Sequence, residues 1–209
     1  MMTEKIEDPA ADIAWMRRLA EEGATAPMRG GSILMAGGLL YAAASLFHWV
    51  LLTGAVPWSV ESTWIGWLGA TVIFWGVLAL VIPRLKRSEG TYTHANRASG
   101  IAWSGMGWGI FALFVSMAVL GWRMGDAATP ALFVLIPSVI LVFYGVGWAV
   151  SAAMFRSRTM WILSFASFAA APVLAALAET STLYLAYAAA LVGLMGLPGY
   201  LFMRAAKQA

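Results

Sequence analysis

The sequence predicts an all-α integral membrane protein: six transmembrane helices arranged as three hairpins, preceded by a short amphipathic helix on the cytoplasmic interface. Three observations carry this prediction. Of 209 residues, 61% are hydrophobic and 11% charged, where a soluble domain averages about 45–50% and 25%. Six apolar runs reach the roughly 20 residues that cross a hydrocarbon core about 30 Å thick. The basic residues stand at the ends of those runs and not inside them.

The runs cover residues 31–54, 63–82, 99–122, 130–154, 160–178 and 183–203, and none holds Asp, Glu, Lys, Arg, Asn or Gln. Each is too long and too evenly apolar for a barrel strand, which alternates. A helix satisfies its own backbone in lipid, which an open strand cannot do. Residues 30–209 therefore form a single six-helix domain, behind an arm of residues 1–29.

Orientation follows from charge. With the N-terminus in the cytoplasm, every one of the 13 Lys and Arg except Arg123 lies inside. The positive-inside rule then places both termini in the cytoplasm. The outer loops carry Glu61, Asp126 and Glu179. Each hairpin closes with a basic segment: Pro83–Arg87, Phe155–Arg158 and Arg204–Lys207. Trp49, Trp58, Trp64, Trp67, Trp122 and Tyr184 are expected at the outer boundary, and Trp103, Trp148, Trp161 and Tyr200 at the inner one. Their rings are apolar with one hydrogen-bonding edge. Trp75 and Trp108 lie deeper and are expected to pack between helices.

The arm reads as a helix over about residues 9–22. Asp8 suits the N-cap, Pro9 the first helical position and Gly23 the stop. Ile13, Trp15, Met16 and Leu19 share an apolar face opposite Arg17, Arg18, Glu21 and Glu22. The segment is too short and too charged to span, so Trp15 is expected to anchor it at the interface. The first 28 residues mix acids and arginines and are not expected to act as a secretory signal.

Small residues recur at spacing four: Gly66 and Ala70; Gly105 and Gly109; Gly145, Ala149 and Ala153. This spacing lets helix backbones approach closely, either within the chain or in a homo-oligomer. Pro137, Pro172 and Pro198 are expected to kink their spans, and Gly193, Gly196 and Gly199 make the last span the least regular. The Pro83–Ala98 connection carries Arg84, Lys86, Arg87 and Arg97, candidate contacts for a lipid headgroup or a protein partner.

His48 is the most polar residue inside a span, with Glu61 the acid nearest in sequence. An imidazole at that depth needs a partner or interfacial water, and the pair is a candidate pH-sensitive site. There is no cysteine and there are two histidines, so no metal site or cofactor is expected. No Gly-x-Ser-x-Gly, His-Glu-x-x-His or Walker motif occurs, so no catalytic chemistry is expected. Basic residues at span ends do not form a nucleic-acid patch.

These readings leave two function classes. One is a non-catalytic accessory, scaffold or regulatory membrane partner, acting through the arm or the helix faces. The other is a channel or transporter for a small neutral or apolar solute. Ion-coupled transport usually needs ionisable groups at membrane depth, which ranks the first class ahead. Besides the bilayer, the expected partners are a protein or further copies of the chain. Richness in Ala, Gly and Arg fits a GC-rich bacterial source, and so a bacterial inner membrane.

Overall fold

The structure, a computed structural model, describes residues 13–15, 28–87, 93–125 and 129–208; the side chains of residues 86, 87 and 129–132 lie outside that description. Its regular elements are all helical: α1 (Gly31–Leu52), a 3-10 turn (Val60–Ser62), α2 (Thr63–Arg87), α3 (His94–Met124), α4 (Thr129–Phe155), α5 (Arg158–Ala176), α6 (Thr182–Leu191), a π-helical turn (Val192–Gly196) and α7 (Leu197–Gln208). Six helical stretches are long and apolar enough to cross a membrane, the last being α6, the π turn and α7 taken together. Of the arm, residues 13–15 are helical and exposed, and the rest of the helix expected over 9–22 lies outside the described residues.

Several helices run past the apolar run that predicts them, because a helix stops at a cap and not where lipid ends. Thr93 caps α3, its hydroxyl accepting from the Asn96 N–H at 3.2 Å. This adds a turn before residue 99. Asn96 is buried, and its Oδ1 accepts from the Arg29 N–H at 2.7 Å, tying the entry to α1 onto the start of α3. Between α4 and α5 the chain turns in two residues. The Ser157 N–H reaches back to the Ala152 carbonyl at 3.1 Å, Arg156 takes a left-handed φ of 49°, and the Ser157 hydroxyl then accepts from the Met160 N–H at 3.4 Å. This is a Schellman-type stop followed directly by an N-cap.

Close backbone packing sorts the spans into two groups of three. In one, α1 packs against α2 and along the whole last span; in the other, α4 packs against α3 and α5. The consecutive pairs α1–α2 and α3–α4 are in close contact, whereas α5 touches the last span only briefly. The last span lies on α1 because glycines permit it. A Cβ on Gly31 would stand 2.6 Å from the Gly199 carbonyl oxygen, and one on Gly38 would stand 2.8 Å from the Gly196 Cα. Serines tie other neighbours: Ser45 Oγ donates to the Tyr184 carbonyl (2.7 Å), Ser164 Oγ to the Gly145 carbonyl (2.8 Å), and Ser99 pairs with Ser151 (2.8 Å).

The expected irregularity near Pro198 is present as the π turn. Proline has no N–H, so the Leu194 carbonyl four residues earlier loses its helical donor. The indole N–H of Trp148, from the other group of helices, donates to that carbonyl at 3.0 Å. Trp148 is fully buried inside the bundle.

Candidate functional site

The two groups meet across a seam lined by large side chains instead of close backbone contact. Tyr41, Trp67, Tyr144 and Tyr187 occupy its middle, and Trp103, Trp148 and Phe202 its end nearer Arg29 and Asn96. Trp67 is the hub of the middle part. Its ring stacks beside Tyr41 (centroids 6.5 Å apart, planes at 26°) and beside Tyr187 (6.4 Å, 27°). Its N–H donates to His48 Nδ1 at 3.2 Å. That bond requires a lone pair on Nδ1, so the neutral ring carries its proton on Nε2. His48 in turn stacks on Tyr184 with centroids 3.6 Å apart.

The phenols add directed polarity. Tyr41 donates to Thr71 Oγ1 at 3.4 Å, and Thr71 to the Trp67 carbonyl at 2.8 Å. The hydroxyls of Tyr41, Tyr144 and Tyr187 lie within electrostatic reach of one another. Among the described residues, neither Tyr144 nor Tyr187 has a hydrogen-bond partner for its hydroxyl. These two hydroxyls, with the Nε2–H of His48, are hydrogen-bonding groups of the seam that no described residue satisfies. Ser138 Oγ on α4 is fully buried without a partner.

The structure does not bring Glu61 to His48. Glu61 is exposed in the 3-10 turn, and the partners of His48 are Trp67 and Tyr184. Trp67 and Tyr184, two of the aromatic residues expected near the outer boundary, thus both pair with His48. Exposed and accessible are Trp15, Arg84 and Arg97, while the side chains of Lys86 and Arg87 lie outside the description. The small-residue positions divide. Gly66 lies under Phe47, Ala70 is buried, Gly109 touches Phe143 at 3.6 Å, and Gly145 lies under Phe168. Ala149 is half-buried and Ala153 exposed. A Cβ on Gly105 would have nothing within 4 Å among the described residues.

Trp75 and Trp108 do not fill a helix interface as expected. They meet edge to face at 6.4 Å, and 53% and 61% of their surface stays exposed. Only 6% of the apolar window of α2 and 11% of that of α3 is buried, against 28% to 44% in the other spans. These two consecutive helices therefore show most of their faces outward. Gly69, Gly76 and Gly107 also have nothing within 4 Å.

No protein-family model, curated protein or solved structure matches this chain.

Proposed function

We propose that this chain is an accessory or scaffold subunit of a bacterial inner membrane, with both termini in the cytoplasm, and that it docks another membrane helix on the outward faces of α2 and α3. The observation that carries this reading is the scarcity of buried residues on those two helices, with open glycines beside Trp75 and Trp108. Glycine leaves a shallow groove into which a second helix can close, and Trp supplies contact area at its rim. The exposed basic side chains Arg84, Arg97, Arg156, Arg158, Arg204 and Lys207 support the orientation.

The chain has no cysteine, so single-cysteine variants are uniquely reactive. A photo-crosslinker attached at Gly69, Gly76 or Gly105 in native membranes is expected to give discrete protein adducts. The same group at Ile162 or Val173 on exposed faces of α5 is expected to give lipid adducts. Lipid adducts alone from every position would remove the docking proposal. A self-adduct would identify the partner as a second copy. A reporter fused after Gln208 that works only outside the cytoplasm would overturn the orientation.

A further inference from the structure

We propose that the seam is a binding site for a neutral, planar, membrane-soluble carbonyl compound, held by the hydroxyls of Tyr144 and Tyr187 and stacked among the rings around Trp67. The inference is separate from partner docking, because it rests on the interior of the bundle and not on its outer face.

The chemistry of the occupant follows from what frames the seam. Tyr187 is only 2% exposed, and among the described residues its hydroxyl, that of Tyr144 and the Nε2–H of His48 have no partner. A phenol satisfies itself best by donating to an oxygen acceptor, which a carbonyl supplies without bringing a competing donor. The side chains framing the site are Tyr41, His48, Trp67, Thr71, Tyr144 and Tyr187, and none is charged when His48 accepts from Trp67. A charged ligand would have no counter-charge, and its desolvation would oppose entry. The parallel set of Tyr41, Trp67 and Tyr187 favours a flat ring over a flexible chain, because offset stacking rewards coplanar partners. Access is lateral. The backbones of α2 and α3 do not pack closely, and the Trp75–Trp108 edge contact spans the opening between them. A molecule dissolved in the bilayer reaches the seam there without crossing water, before a partner helix covers that face.

The test uses the full chain in phosphatidylcholine nanodiscs, with a decyl-substituted benzoquinone as the probe. It is neutral and flat, carries two carbonyls and quenches indole fluorescence. Saturable quenching is expected, with affinity at least tenfold weaker in Tyr144→Phe and in Tyr187→Phe. Both changes remove one oxygen and keep the ring, and an unchanged melting temperature confirms the fold. On the wild-type protein alone, the carbonyl stretch of the bound probe is expected to shift to lower frequency, and decylbenzene is expected not to displace it. Quenching that rises linearly with mole fraction would show simple partition and overturn the proposal. So would saturation unchanged in the double Phe variant, an unshifted carbonyl band, or equal displacement by decylbenzene. Seam hydroxyls satisfied only by water would produce these outcomes.

Discussion

Adding one methyl group at Gly199 is expected to destabilise the bundle, while the same change at Gly105 stabilises it slightly. The difference comes from what each Cβ meets. At Gly199 it meets the backbone of α1: the Met35 nitrogen, the Gly31 carbonyl oxygen at 2.7 Å and the Leu34 carbonyl carbon at 2.9 Å. Ordinary contact begins near 3.4 Å, so α1 and α7 must part by at least about 0.7 Å, and further for the still closer Met35 nitrogen, which forfeits roughly half of the dispersion energy between facing atoms. A backbone cannot swing aside as a side chain does. The net penalty is about 1–3 kcal/mol even after the gain in helix propensity. For a chain of this size that corresponds to a melting temperature lower by roughly 2–12 °C. Gly105 has open space around it, so Gly105→Ala gains about 0.5–1 kcal/mol of helix stability and raises the melting temperature by roughly 1–4 °C. Thermal unfolding in mild detergent, followed by tryptophan fluorescence with circular dichroism as a check, measures both. If Gly199→Ala were no less stable than Gly105→Ala, the close crossing of α1 and α7 would be wrong.

Three other outcomes follow from single contacts. Trp148→Phe leaves the Leu194 carbonyl without its indole donor and is expected to cost about 2–4 kcal/mol, combining the lost hydrogen bond with lost volume; in a Pro198→Ala background the cost should shrink, and a double-mutant cycle in detergent unfolding shows no coupling if the two are independent. Arg156→Gly relieves a left-handed φ of 49° and is expected to stabilise the α4–α5 turn by about 1 kcal/mol, whereas a lower melting temperature would mean that the arginine side chain holds the turn. His48→Phe keeps a ring against Tyr184 but strands the Trp67 N–H, and is expected to cost about 1–3 kcal/mol and to shift the indole emission; an unaltered spectrum would show that this bond does not form.

The spans were legible because 20-residue apolar runs between charges have few alternatives in any environment. The irregular last span was legible for a similar reason, since Pro198 among glycines has a local effect. What the sequence hid lies in pairings between distant segments. Gly31 and Gly38 are seven residues apart and Gly196 and Gly199 three, so a search at spacing four passes over the closest crossing in the bundle. At Gly105 and Ala153 the same search found the spacing on faces that the chain leaves open. Trp148 reads as an interfacial residue until Pro198, fifty residues later, frees an acceptor for it. Trp67 and Tyr184 likewise read as boundary residues, and nothing local in the sequence shows that both meet His48.

The grouping of the spans also sets the order in which the chain can mature during synthesis. The neighbours α3, α4 and α5 are consecutive, so their contacts can close as soon as α5 has emerged. The principal neighbour of α1, by contrast, is the final span, made more than 100 residues after it. Until then the glycine face of α1 has only lipid, the insertion machinery or another protein against it. A nascent chain halted near Glu179 is therefore expected to protect α3–α5 from protease while α1 and α2 remain susceptible, and release of the last span should close both groups together.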